Sequence, residues 1–250
     1  MIDNRDESRY KKWESEHEER GTSNLIPAAT VVIMRDSESG IELLMLRKNS
    51  KVAFGGMWVF PGGKIDETDK VINSDGSLDE LATATSAATR ETFEEAAISV
   101  SQENLFWFSH WVPPAITPKR FSTYFFATKL LDGDEVTIDD SEIIEHGWFR
   151  PHEAINLRDA GEIELAPPTW VTLNHLISFT NVEDALNDLD AKDPIFYETH
   201  IAQSAKGPVA MWFGDAGYEK TDPDMPGERH RLTMSTDGYH FEQSNSSPLT

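Results

Sequence analysis

Residues 90–95 read Arg-Glu-Thr-Phe-Glu-Glu, and this run restricts the chain more than any other. On a helix turning about 100° per residue, Glu91, Glu94 and Glu95 fall at i, i+3 and i+4 and share one arc. Phe93, Ala82 and Ala96 lie opposite and are expected to pack inward. The helix that carries them is Ala-rich, a composition of high helix propensity, and is expected from Leu78 to Ala97. Like charges at this spacing cost a helix a few tenths of a kcal/mol per pair, on the order of 0.2–0.5, so a compensating positive charge is required. Hard divalent cations such as Mg2+ take oxygen ligands and suit the cluster. Acid-rich helix faces are ordinarily solvated surface. What sets this one apart is Arg90 directly before it and the upstream run Trp58-Val59-Phe60-Pro61-Gly62-Gly63, a strand ending in a loop whose glycines allow close backbone approach.

The charge balance narrows the partners. With 22 basic and 44 acidic residues the net charge is -22, a field that repels polyanions, so nucleic acid is excluded as a partner. A small phosphate-bearing substrate must be met by local Lys and Arg or by bound cations. The chain has no Cys, hence no disulfide framework, thiolate nucleophile or zinc-thiolate site, and a reducing cytoplasm is the expected setting. Met1 to Gly21 is charged throughout, and no run approaches the ~20 apolar residues of a membrane span, so a soluble, non-secreted protein is expected.

Along the chain, Arg5 to Arg20 reads as a polar helix, and short β-like runs follow at Ala29–Met34, Glu42–Arg47 and Met57–Phe60. After the acid helix come strands at Leu105–Trp111, Phe121–Leu130 and His146–Phe149. Helices are expected at Pro151–Ala160, Pro168–Phe179 and Val182–Ala191, each with Pro, Asn or Asp near its start. Gly207–Phe213 and a hairpin Arg231–Phe241 around Asp237-Gly238 complete the pattern. The organisation expected is an N-terminal helical arm over 1–25, a catalytic domain over 26–195 and a C-terminal β extension over 196–250 that offers a homodimer contact.

The acid run resembles the signature of the Nudix family, G-x5-E-x7-R-E-U-x-E-E-x-G-U with U aliphatic. It matches at Arg90, Glu91, Glu94, Glu95 and Ile98 and departs at Thr92 and at Ala97, where the family has Gly. From Gly63 to Arg90 there are 27 steps, 13 more than the family spacing, and the excess is placed between Lys70 and Leu81. Counting from Gly63, the family's upstream Glu falls on Asp69, with Asp66 and Glu67 as rivals for the carboxylate that orients Arg90. The resemblance implies an α/β/α sandwich with a mixed sheet and a metal-dependent hydrolase of diphosphate bonds using Mg2+ or Mn2+. It implies Glu94 and Glu95 as the main metal ligands, Glu91 as a further ligand or the base that activates water, and Arg90 as a structural orienter. Some members take the base from a downstream loop, where Glu142 and Glu145 stand.

An insertion within the signature, together with Leu43-Leu44-Met45-Leu46-Arg47 and Gly56 to Gly63, resembles the branch holding coenzyme A diphosphatases of peroxisomal type. That branch carries L-L-x-x-R-[S/A]-x3-R-x3-G-x3-F-P-G-G; here Lys48 replaces the small residue and Val52 the second Arg, with Lys51 one position away. Trp111 to Thr123 and Leu165 to Thr169 share the likeness, which covers Ile26 to Ser178. Coenzyme A carries a diphosphate and a 3′-phosphate, so its site needs several cationic donors. Arg47, Lys48, Lys51, Lys64, Lys119 and Arg120 are the candidates, beside the backbone of Gly62 and Gly63. The aromatic loop Trp107–Phe121 is a place to stack an adenine, with Trp107 and Trp111 equally placed as core residues. The alternatives are cleavage of ADP-ribose, a dinucleotide or a nucleotide sugar, and a non-catalytic nucleotide sensor on the same scaffold.

Overall fold

The computed structural model describes residues 5–51, 53–131, 133–138 and 141–244. In chain order the elements are α1 (Arg5–Arg20), β1 (Leu25–Ser37), β2 (Gly40–Lys48), β3 (Trp58–Val59), β4 (Gly62–Lys64), α2 (Glu80–Ala96), β5 (Phe106–Val112), β6 (Arg120–Lys129) and β7 (Ile143–Phe149). They continue with α3 (Pro151–Asp159), α4 (Pro167–Leu176), α5 (Val182–Asp190), β8 (Ile195–Glu198), β9 (His200–Ser204), β10 (Gly207–Met211), β11 (His230–Ser235) and β12 (Gly238–Gln243). No helix among the described residues is long and apolar enough to cross a membrane.

The chain divides into two compact units. The larger comprises 27–109 and 123–194. Its sheet begins from the hairpin of β1 and β2, whose register runs from Met34↔Leu43 to Ser37↔Gly40 and turns at Gly40, with φ +117°, a conformation glycine tolerates. The strand order is β3-β2-β1-β6-β5, with β4 antiparallel on β1 and β7 antiparallel on β2. Leu130, just past β6, donates its N–H to Met34 O of β1 at 2.8 Å, and Ser23, just before β1, donates its hydroxyl to Pro118 O just before β6 at 2.9 Å. Those two strands therefore run in the same direction, and the sheet is mixed. Val31 to Met34 and Leu43 to Leu46 are continuous apolar runs with no exposure, which requires cover on both faces. Val31, Ile33, Leu44 and Leu46 meet Ala84, Ala87 and Ala88 of α2. On β2 also lies α3, with α4 against it. The result is the expected α/β/α sandwich.

The inserted stretch closes on itself. Ile72 and Leu78 form an antiparallel bridge, and Asn73 donates its N–H to Ser77 O at 2.8 Å. Asp79 then caps α2 by accepting from the Ala82 N–H at 2.9 Å.

The smaller unit comprises 1–26, 110–122 and 195–250. Its core is an antiparallel sheet of order β12-β11-β10-β9. The hairpin expected around Asp237-Gly238 is there, closing with Ser235↔Gly238. Strands β8 and β9 are additions to the expected set. Their four- and five-residue lengths leave too little alternation to be read in advance. Asp6 of α1 accepts the Tyr239 hydroxyl at 2.8 Å. Arg231 of β11 grips Asp215, donating from Nε to Oδ2 and from Nη2 to Oδ1, both at 2.6 Å.

Candidate active site

Helix α2 presents Thr83, Ala84, Ala87, Ala88, Thr92, Glu95 and Ala96 as its buried strip. Glu95 is only 4% exposed, whereas Phe93, expected to face inward, is 58% exposed. The reversal has a physical cause. Residues 62 and 63 are glycines on β4, so the space that side chains would fill opposite the helix is left for glutamates. A Cβ at Gly63 would land on the Glu91 carboxylate, and one at Gly62, which holds φ +155°, would land on the Ala29 carbonyl. The helix turns Glu91 and Glu95, with Ala96, toward the sheet and leaves Phe93 and Glu94 exposed.

Each acid then meets a specific partner. Glu95 accepts the Gly62 N–H on Oε2 at 2.9 Å, and its Oε1 is paired with the Lys48 ammonium. Lys48 ends β2 on the face of Leu44 and Leu46, the face that meets α2. Arg90 anchors the rest of the cluster. Its Nε and Nη2 donate to Asp69 Oδ1 and Oδ2 at 2.9 and 2.7 Å, and Nη2 also donates to Lys64 O at 3.0 Å. Nη1 donates to Glu91 Oε1 at 2.9 Å and Glu94 Oε2 at 2.8 Å. Of the three rivals for Arg90, Asp69 is the partner. It is 3% exposed, on a short 3-10 turn over Glu67–Asp69, and accepts the Asp66 N–H at 2.8 Å. Asp66 and Glu67 are exposed, and Glu67 pairs with Lys70 at 2.8 Å.

These surroundings set the charge states. Burial raises the carboxyls of Glu91 and Glu95 above their ordinary range, with Arg90 opposing at Glu91 and Lys48 opposing at Glu95. Burial pushes Asp69 upward too, but its hydrogen bonds from Arg90 and from the Asp66 amide outweigh it and hold the carboxyl low. The Asp69 bonds in turn raise Arg90, a permanent cation.

Three carboxylates on successive turns offer hard oxygen donors, the chemistry a Mg2+ or Mn2+ ion takes. As they lie, Arg90 and Lys48 neutralise them, and among the described residues no three acidic or His side chains converge on one point. The donor set fits a divalent cation by charge and atom type.

The other expected residues are spread more widely. Glu142 precedes β7, is 60% exposed at its side chain, and places Oε2 3.8 Å from Lys48 Nζ. Arg47 points to the opposite face of β2 from Lys48 and pairs with Glu145 at 3.1 Å. Lys51 and Lys64 are exposed. Val52 lies outside the described residues. Lys119 and Arg120 belong to the smaller unit, where Lys119 is exposed. Arg120 donates to Pro113 O at 3.1 and 3.2 Å and to Ser23 O at 3.4 Å. Trp111 is buried and stacked on Tyr197 at 3.8 Å, so its ring is a core element and not a platform for an adenine. Sequence reading did not join Lys48 to Glu95. The alternation Leu44, Leu46, Lys48 carried the signal, because it aims Lys48 at α2.

An acid helix laid by an Arg–Asp clasp over a Gly-Gly strand, on an α/β/α sheet, is a Nudix arrangement, and residues 25–169 match the NUDIX domain model. The chain belongs to the Nudix family. Among its relatives, the putative nudix hydrolase 7 of Caenorhabditis elegans is 24% identical over 191 residues, 62% of this chain and 61% of that protein. The acyl-coenzyme A diphosphatase NUDT19 of Xenopus laevis is 28% identical over 141 residues, 52% of this chain and 36% of that protein. Its Homo sapiens counterpart is 31% identical over 120 residues, 44% of this chain and 31% of that protein. The chain thus spans less than two thirds of the length of these relatives. The crystal structure of a NUDIX hydrolase from Alicyclobacillus acidocaldarius superimposes with TM-score 0.57 at 21% identity, covering 68% of this chain and 99% of that one, which shows the shared fold.

Proposed function

We propose that this chain is a metal-dependent hydrolase of diphosphate linkages whose substrate is coenzyme A or an acyl derivative. The observation that carries the hydrolase reading is the placement of Glu91 and Glu95 against Gly62 and Gly63, with Glu94 held beside them by Arg90, which Asp69 anchors. Glu94 and Glu95, with Glu91, would hold the divalent ion, Mg2+ or Mn2+. When bound, such an ion polarises phosphoryl oxygens, lowers the pKa of water and offsets charge developing at phosphorus.

The chain's own residues do the remainder. Arg90 fixes Glu91 and Glu94 on one guanidinium nitrogen, and the Gly62 amide orients Glu95. The attacking water forms a P–O bond as the bridging P–O bond breaks; its proton passes to Glu91 or to Glu142, the exposed acid nearest Lys48. Lys51 and Lys64, both exposed in the unit that carries the acid cluster, would supply cations to the substrate phosphates, whereas Arg47 is paired with Glu145 on the opposite face of β2 and the Arg120 donors are committed to backbone carbonyls. The coenzyme A reading is supported by the insertion inside the signature and by relatives whose names specify acyl-coenzyme A. The lack of Cys agrees with a reducing cytoplasm.

The test is incubation with coenzyme A and Mg2+ or Mn2+, with formation of 3′,5′-ADP and a phosphopantetheine product expected. No product from coenzyme A or its acyl derivatives overturns the substrate. A second reading, cleavage of ADP-ribose, a dinucleotide or a nucleotide sugar, is favoured by Val52 where the branch motif has Arg. A substrate panel separates the two. Calorimetric binding of a nucleotide without turnover, unchanged by Glu94→Gln or Glu95→Gln, would point instead to a sensor.

A further inference from the structure

Lys48 stands out because it is a buried cation, 8% exposed, at a position where the branch motif has a small side chain. Its ammonium lies on Glu95 Oε1, while Glu95 Oε2 is already held by the Gly62 N–H. The Glu95 oxygen not engaged by a backbone amide is thus the one that Lys48 covers. A second carboxylate, Glu142 Oε2, lies 3.8 Å from the same nitrogen. The strand geometry favours this arrangement. Pairing of β2 with β7 slips between Arg47↔Glu145 and Lys48↔Ile143, and such a bulge re-aims side chains at a strand end. A buried ammonium stripped of every partner is costly, so a residue that must release one acid needs another within reach.

We propose that Lys48 is a tethered counter-ion: it neutralises Glu95 in the metal-free protein and is held by Glu142 when a divalent ion takes Glu95. Binding of the metal thus displaces a built-in cation, and the metal site of this chain is weakened by competition from its own sequence. The proposal rests on reading Glu94 and Glu95 as metal ligands.

The test is a Mn2+ titration, followed by electron paramagnetic resonance and calorimetry, of the wild type and of Lys48→Met, Lys48→Arg and Glu142→Gln. Thermal melts are run with and without Mn2+. Lys48→Met is expected to bind Mn2+ about tenfold more tightly, since a positive charge beside the site is gone. It should also melt lower than wild type without metal and gain more from added Mn2+. Lys48→Arg, which keeps the charge, should bind as the wild type does. Glu142→Gln alters an exposed side chain and leaves the fold intact; it should weaken Mn2+ binding several-fold by removing the alternative acceptor. Equal affinities and equal melting shifts across wild type, Lys48→Met and Glu142→Gln overturn the proposal. Should Lys48→Met fail to fold with or without Mn2+, the Glu142→Gln affinity alone decides, and no change there overturns it. Glu94→Gln and Glu95→Gln are the controls for the underlying reading: Mn2+ binding untouched by both overturns the metal site itself, and the Lys48 proposal with it.

Discussion

Arg90 clasps Asp69 with two side-on hydrogen bonds, Nε to Oδ1 at 2.9 Å and Nη2 to Oδ2 at 2.7 Å, across 21 residues of chain. The pair joins the turn after β4 to α2 and leaves Arg90 Nη1 free to hold Glu91 and Glu94. Removing the buried acid takes two charge-assisted hydrogen bonds from Arg90 and leaves Nε without its carboxylate partner. Asp69→Ala is therefore expected to cost about 3 kcal/mol. For a chain of this size that is a drop in Tm of roughly 6–12 °C. Differential scanning calorimetry checks it, and a melting curve that overlays the wild type refutes the anchoring role.

Gly62 and Gly63 are predicted to fail in different ways. At Gly62 a side chain meets the Ala29 backbone and the residue holds φ +155°, so Gly62→Ala strains the chain itself and should lose about 1–3 kcal/mol of stability. At Gly63 the obstacle is the Glu91 carboxylate, the end of a side chain that can swing away. Gly63→Ala should therefore keep most of its stability and lose turnover. Parallel melts and rate measurements test the split; equal stability losses in both variants would contradict it.

If Glu94 and Glu95 hold the ion, Glu95→Gln and Glu94→Gln should each lower kcat/KM by about 10²–10³. Chelation by EDTA should abolish wild-type turnover, and excess Mg2+ or Mn2+ should restore it. Full activity in EDTA would exclude the metal-dependent reading.

The smaller unit makes a prediction about pH. Burial acts to raise Asp215, but hydrogen bonds from Arg231 and from the His230 and Gly217 amides outweigh it and hold the carboxyl below the ordinary range. A depressed folded pKa gives stability that is complete above the unfolded value near 3.9 and disappears as pH falls through the lower folded value. Urea unfolding from pH 7 to pH 2.5, followed by tryptophan fluorescence, should show Asp215→Asn less stable than wild type at neutrality by about 3–5 kcal/mol. The two should converge as the pH drops below about 4. A gap that does not narrow in acid would mean that the charge of Asp215 contributes nothing.

Much of the fold was legible because local rules sufficed. Alternation and apolar runs located β1, β2, β5 and β6, Pro and Asn at helix starts located α3 to α5, and the Asp237-Gly238 pair located the last hairpin. The spacing of Glu91, Glu94 and Glu95 placed three acids on one arc of α2. Helical periodicity gives angles between residues of one helix, however, and not the rotation of that helix against a sheet. Two side-chain-free positions on β4 decided the rotation, burying Glu95 and leaving Phe93 in solvent.

The acid cluster was thus written in the sequence, down to residue type and helical phase, because both are properties of a contiguous run. Its partners were settled only in three dimensions. The choice of Asp69 over Asp66 and Glu67 depended on which carboxylate the turn over Glu67–Asp69 buries toward Arg90 once the loop closed by Ile72 and Leu78 has absorbed the extra residues. The pairing of Lys48 with Glu95 spans 47 positions and depended on α2 packing over the Leu44 and Leu46 face of β2. Hydrogen bonds and ion pairs act over a few ångströms of space, whatever the distance along the chain, so such contacts exist only after the sheet and helix have packed.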